Sequence, residues 1–392
     1  MTTAPSATPS LPLSGYGSGS YPEMDVTLLL DIVDKDAVND VPVDEKEALI
    51  QSGQRHYSDM LTLEDAPSAA HEALYQEALA AGGERMATDI AHLAHTLHHL
   101  FAAEANAQTP LILISLVRAG LPVGVLLQRA LSDASADYAL PSIHYGMSII
   151  RDRGLDANAL AQILAQHQGS KLVFVDGWTG KGAIYGELAR SLAPYNTDTH
   201  PHFAAIFHQG AGVVPLLTLA DPAGVAWLSA SDDDWLIPSG LLNSTVSGLV
   251  SRSLYTAPET GLHRAVMYDN LMAHDHSLAF IEHVDALRPA SSEALHVLPT
   301  YQRPRYSTAA IVNAIATEQQ IDNLNRIKPT IAEATRAILR RDPEQVLLAS
   351  AEHPDTKLLR YLCIEKNISM HIAGTDILPY QAITIIKARA TE

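Results

Sequence analysis

Strand-like runs alternating with helical patterns predict an α/β fold, a mainly parallel sheet flanked by helices with a small second α/β unit at the C-terminus. Three observations carry this prediction. Two continuous apolar runs, Leu111–Leu116 and Leu172–Val175, read as strands buried on both faces. Each leads through a glycine-bearing loop into a segment of helical period. Beyond about residue 300 a polar, proline-containing stretch opens a fresh helix–strand alternation whose charge is close to balanced.

The length of 392 residues is too great for one ordinary core, so more than one domain is expected. The divisions read as a disordered tail over 1–22, a main domain over 23–300, a linker over 301–307 and a last domain over 308–392. No apolar run reaches the roughly 18 residues a membrane span needs, and the N-terminus lacks a signal-peptide pattern. A cytoplasmic protein with no membrane contact is the expectation. The one cysteine, Cys363, excludes an internal disulfide and a cysteine zinc site. A net charge of −18 argues against a protein that coats nucleic acid by bulk electrostatics, but leaves room for a local basic groove.

In chain order, residues 23–51 mix acids and apolar residues too evenly to place elements. Glu84–Leu100 has helical period, with Met86, Ile90, Leu93, Leu97 and Leu100 on one side. The spacing of His92, His95, His98 and His99 on that helix allows two imidazoles on one face, as metal ligands or as ordinary polar surface. Leu111–Leu116 is a strand and Val123–Leu131 a helix. Ser142–Ile150 is a third strand, ending in Arg151-Asp-Arg153-Gly154, and Ala157–His167 is a helix. His202–Phe207 and Val225–Ser229 read as further strands. In the last domain 308–339 reads as helical, 344–350 as a strand, 355–366 as a helix, and 371–373 and 382–387 as strands.

The most informative stretch is Lys171-Leu-Val-Phe-Val-Asp-Gly-Trp-Thr-Gly-Lys-Gly-Ala-Ile184. An apolar strand meets Asp176, then three glycines, then a helix over Ala183–Leu192. Backbone N–H groups in such a loop approach a phosphate closely, and the helix dipole assists. Spacing excludes a Walker loop, because Val175 stands where the first glycine belongs. The dinucleotide fingerprint fails at Tyr185. Arg118, Arg151, Arg153 and Asp176 all fall at the carboxyl ends of expected strands, where parallel sheets bind ligands. A second unusual stretch, Asp232–Arg252, mixes hydroxyl residues, Asn243 and a closing arginine. It reads either as a sugar or anion site or as a capped loop and helix packed on the sheet.

Four apolar residues, an acid and a Thr/Gly loop entering a helix resemble the signature of type I phosphoribosyltransferases. The resemblance implies Asp176 as ribose ligand and Thr179, Gly180, Lys181, Gly182 and Ala183 as a cradle for the 5′-phosphate of phosphoribosyl pyrophosphate. Leu116-Val-Arg-Ala-Gly120 resembles the family's pyrophosphate loop, implying Arg118, Ser115 and Gly120 as further contacts. The family pairs two acids, whereas this chain has Asp176-Gly177, so Asp176 is expected to hold the ribose alone. More narrowly, His144–Asp156, Val175–Ile184 and Leu236–Arg252 resemble the phosphoribosyltransferase-like StiP proteins of bacterial tellurite-resistance (Ter) stress gene clusters, which end in a Pelota-type RNA-binding domain.

That resemblance implies transfer of ribose 5-phosphate to an unknown base or nucleotide-like acceptor. Mg²⁺ would be held by the substrate, Arg118, Arg151 and Arg153 would stabilise the leaving pyrophosphate, and Asn243, Ser244 and Arg252 would add contacts. A phosphoribosyl sensor with an RNA-binding domain is the alternative, and RNA is an expected partner, with Arg336, Arg340, Arg341 and Lys357 as an RNA-facing patch or a solvated helix face. The StiP label also carries a cysteine-protease description. Cys363, in the apolar run Leu358–Ile364, reads instead as a buried small hydrophobe.

Overall fold

The computed structural model describes residues 17–38, 40–195 and 214–388. The expected strand over His202–Phe207 lies outside the described residues, as do 1–16 of the expected tail. The remainder of that tail is packed: Tyr21 is buried and its hydroxyl donates to Val246 O at 3.1 Å.

The main unit follows the predicted alternation. Its elements are β1 (Thr27–Leu29), β2 (Asp31–Val33), α1 (Val43–Gln51), α2 (Ala69–Phe101), β3 (Leu111–Val117), α3 (Gly120–Ser132), β4 (Ser142–Ile150) and β5 (Gly154–Leu155). They continue through α4 (Ala157–Gln166), β6 (Leu172–Trp178), α5 (Ala183–Leu192), β7 (Leu216–Ala220), β8 (Leu228–Ser231), β9 (Arg264–Val266) and α6 (Ser277–Ala286). The central sheet runs β1-β4-β3-β6-β7-β8 with every pairing along that path parallel; β5 joins β4 antiparallel. Both faces are buried, which is why β3 and β6 read as unbroken apolar runs. One face packs on α2 and α3, the other on α4 and α5.

Local chemistry sets the boundaries. Ser68 caps α2 by accepting from His71 N, and Asp156 caps α4 by accepting from Asn158 N and Ala159 N. α5 begins at Gly182, whose φ of +82° is a left-handed conformation that favours glycine. The helix expected over 84–100 starts fifteen residues earlier, at Ala69, through Gly82-Gly83. Leu100, expected on its apolar side, is exposed. A Cβ on Gly82 would sit 3.2 Å from Pro238 Cγ, so this breaker-like pair marks close packing inside the helix.

The smaller unit holds α7 (Ala309–Glu318), β10 (Ile327–Pro329), α8 (Ile331–Arg340), β11 (Pro343–Leu348), α9 (Lys357–Glu365), β12 (Ser369–Ile372) and β13 (Ala382–Ile386). Its sheet runs β10-β13-β11-β12, with β11 and β12 parallel and the other pairs antiparallel. The single helix expected over 308–339 is two helices separated by β10. Thr330 restarts the second by accepting from Glu333 N at 3.2 Å. The stretch expected as a linker is packed, with Tyr301 N donating to Trp227 O and Arg305 paired to Asp221 and Asp232.

Candidate functional site

Three strands of the central sheet deliver residues to one edge. β3 leads directly into Arg118, β4 into Arg151, and β6 runs on through Asp176 to Trp178, two residues past where the sequence placed the acid at a strand end. Gly120 lets α3 start hard against β6: a Cβ there would lie 2.2 Å from Val175 O. α8 of the smaller unit lies across this edge and closes it into a cleft of about 1100 Å³.

The lining is strongly cationic. Lys46, Arg55, Arg118, Arg151, Lys181, Arg252, Arg326, Lys328, Arg336, Arg340 and Arg341 face four carboxylates, Asp152, Asp176, Asp322 and Glu333. In a chain of net charge −18 this is a concentrated reversal of sign. Burial and the neighbouring arginines, Arg118 among them, depress the pKa of Arg252, Arg336 and Arg340, with Arg252 and Arg336 each down to about 10. Arg252 Nη1, Arg336 Nε and Arg340 Nε have no hydrogen-bond partner among the described residues.

Glu64 is the counter-charge. It accepts from Arg118, from Arg340 at 3.3 Å, and from Ser244 N and Oγ at 3.1 and 2.8 Å. Asn243 accepts from Arg340 through its side-chain oxygen. Asn243 and Ser244 therefore brace the cluster instead of lining the cleft. Asp176 does line it. Burial pushes its carboxyl up to about 7, against the opposing pull of Gly177 N–H and Arg336. Trp178 forms a wall, with the Arg336 guanidinium 5.2 Å from its ring centre.

The glycine loop is held by both units. Thr179 Oγ1 donates to Asp221 Oδ1 at 2.6 Å. Gly180 O accepts from Tyr380 Oη at 2.6 Å. Lys181 Nζ donates to Leu324 O and, at 2.7 Å, to Ile327 O. Thr179, Gly180, Lys181, Gly182 and Ala183 all remain on the cleft wall. The loop expected as a phosphate cradle thus also gives one carbonyl and the Lys181 side chain to the smaller unit. Asp234 completes the docking by accepting from Ile331 N and Gln381 N.

Of the other expected site residues, Arg153 is outside the cleft, its guanidinium 4.3 Å from the Tyr255 ring centre and 3.7 Å from Asp59. Ser115 is buried beneath the edge, between Gly120 O and His144 Nε2. Arg336, Arg340 and Arg341 face the cleft, while Lys357 is exposed and pairs with Glu77. His98 Nδ1 meets Ala139 O; among the described residues no three His, Cys, Asp or Glu gather as a metal site. Sequence reasoning missed Glu64, Asp234, Lys328 and Tyr380. The available signal for the cleft-facing side of α8 was Glu333, Arg336 and Arg340 at i, i+3 and i+7 on an amphipathic helix.

Comparison with known proteins follows this division. Residues 19–285 match the family described as tellurite-like stress resistance cysteine protease StiP, and residues 306–388 match the PELOTA RNA-binding domain. The chain is 44% identical over 384 residues to the protein named cysteine protease StiP of Acinetobacter baylyi, covering 94% of each. No solved structure matches. These matches correct the expectation of a phosphoribosyltransferase using phosphoribosyl pyrophosphate, or of a sensor for it, because both the family and the relative carry a protease name. The Mg²⁺ expected on that substrate loses its premise.

Proposed function

The chain belongs to the StiP family, and we propose that it is a stress-resistance enzyme that draws an RNA segment, by its phosphates, into the cleft between the two units. The observation that supports this most is the cation excess of the lining, eleven lysines and arginines against four carboxylates. Phosphate contacts made by Arg and Lys supply most of the affinity in nucleic-acid binding. The Pelota-type match on the smaller unit, which contributes Arg336 and Arg340, agrees with an RNA ligand. Asp176, titrating near neutrality among these cations, is suited to accept a proton from a ribose hydroxyl.

The relative's name assigns that protein cysteine-protease chemistry. In this chain the one thiol, Cys363, is buried on α9 away from the cleft lining, and burial pushes it up to about 12. A thiol nucleophile needs a thiolate beside a base. Burial holds Cys363 in its thiol form. The cleft therefore supports the RNA reading better than a thiol mechanism.

Binding of a single-stranded RNA oligonucleotide to the full chain, followed by fluorescence anisotropy over a salt series, tests this. The Arg336→Ala/Arg340→Ala double variant is expected to lose about tenfold or more in affinity and to flatten the salt slope by about two. Unchanged affinity and slope in a folded double variant would overturn the reading.

A further inference from the structure

Lys328, on β10, lines the cleft, and its Nζ makes no hydrogen bond or ion pair among the described residues. The charged groups that face it come from several elements. Lys181 reaches it from the glycine loop, Arg151 from the end of β4 and Arg341 from the end of α8, while Glu333 of α8 is the opposing carboxylate. Burial and the three cations outweigh Glu333 and bring the amine down to about 7. Lys181, its neighbour, is different in kind. Burial brings its amine down too, to about 8, but its Nζ donates to two backbone carbonyls that occupy its hydrogens. Lys328 has no such acceptor, so its lone pair is available once the proton leaves. Arg151 Nε, also on this wall, has no hydrogen-bond partner among the described residues.

We propose that Lys328 is a nucleophilic amine that forms an imine with the aldehyde of a phosphorylated compound, such as the open-chain form of a sugar phosphate, entering the cleft. The nitrogen lone pair forms the new C–N bond to the carbonyl carbon. The carbonyl oxygen leaves as water, taking the two amine protons, and no oxidant or reductant is needed. Glu333 stands on the same wall to carry a proton between nitrogen and oxygen, and Arg151 holds the phosphate. The inference uses the same cleft as the RNA reading but does not depend on it.

Pyridoxal 5′-phosphate, which carries both an aldehyde and a phosphate, is the probe. The full-length protein is treated with it, reduced with borohydride, digested and mapped by mass spectrometry. Lys328 is expected to carry the main adduct, with a rate of formation that is half-maximal near pH 7. Pyridoxal, lacking the phosphate, is expected to label it about tenfold less. Lys328→Arg keeps the charge and removes the nucleophile, so its adduct vanishes while that on exposed Lys357 persists. Labelling spread over lysines by exposure, with Lys328 unmodified, overturns the inference; equal labelling by pyridoxal overturns the phosphate requirement. RNA binding measured on the same samples reports separately on the RNA reading, so failure of one is not failure of the other.

Discussion

Glu64 and Arg340, 276 residues apart in the chain, meet at 3.3 Å and join the main unit to α8 of the smaller one. The same carboxylate oxygen accepts from Arg118, and the other takes both Ser244 donors. Burial works against ionising Glu64, but Arg118 and Arg340 outweigh it and hold its pKa below the usual carboxylate range. A depressed pKa means that its stabilising contribution is present above the ordinary glutamate range and is lost as the pH falls through and below it. Glu64→Gln removes that counter-charge and leaves clustered arginines facing one another. It is expected to cost on the order of 3 kcal/mol at neutral pH. Thermal unfolding checks this: a variant melting with the parent at pH 7 contradicts the clasp, and the gap between them is expected to narrow as the pH drops below 4.

Cys363 separates two chemistries. Its thiol is enclosed with Leu358, Leu359 and Leu362 in the core beneath α9. Iodoacetamide is expected to leave it unmodified in the folded chain and to modify it on unfolding. Cys363→Ala is expected to lose only about 1 kcal/mol of stability and to keep RNA affinity. Loss of StiP-type resistance in cells expressing a folded Cys363→Ala protein would return the thiol to the mechanism.

The sheet was legible because its strands are buried on both faces. Leu111–Leu116 and Leu172–Val175 have no polar alternation to confuse with a helix, and glycine follows each. The start of α5 was legible for a backbone reason, the left-handed Gly182. β7, Leu216–Ala220, was passed over, a strand of only five residues. The cleft was legible by halves. Arg118, Arg151 and Asp176 follow from strand ends, but Glu64, Asp234 and Tyr380 act through partners that no local pattern announces. Asp234 accepts from Ile331 N, 97 residues away, and Tyr380 donates to Gly180 O, 200 away. Such contacts exist only once the units dock. The tie from Lys181 to the smaller unit was hidden for the same reason, since its acceptors belong to Leu324 and Ile327.

Gly120 tests how tightly α3 and β6 must approach. An added Cβ would lie 2.2 Å from Val175 O and 3.2 Å from Asp176 Cα, both backbone atoms that cannot swing aside. Gly120→Ala is therefore expected to destabilise by about 3 kcal/mol or to shift Asp176 within the cleft. Denaturant unfolding measures the first, and RNA affinity of the folded fraction reports the second. A variant equal to the parent in both would show that the edge yields without cost.

Asp176 gives a pH signature of the opposite sign to Glu64. Its pKa in the fold, about 7, lies above its ordinary value because burial disfavours the carboxylate. The fold thus prefers the protonated acid. Its contribution to stability is intact below the ordinary aspartate range and declines as the pH rises, until the group is ionised in the fold as well, above about 7. Asparagine keeps the shape and cannot ionise. Asp176→Asn is expected to match the parent near pH 4 and to exceed it above pH 7, by on the order of 1–3 kcal/mol. Unfolding temperatures taken from pH 4 to 8 give the curve directly. A difference that stays flat across that range would place the titration of Asp176 elsewhere and remove it as a proton acceptor at neutral pH. If the curve bends as expected while the asparagine variant binds RNA as tightly as the parent, Asp176 serves proton transfer and the arginines carry the binding.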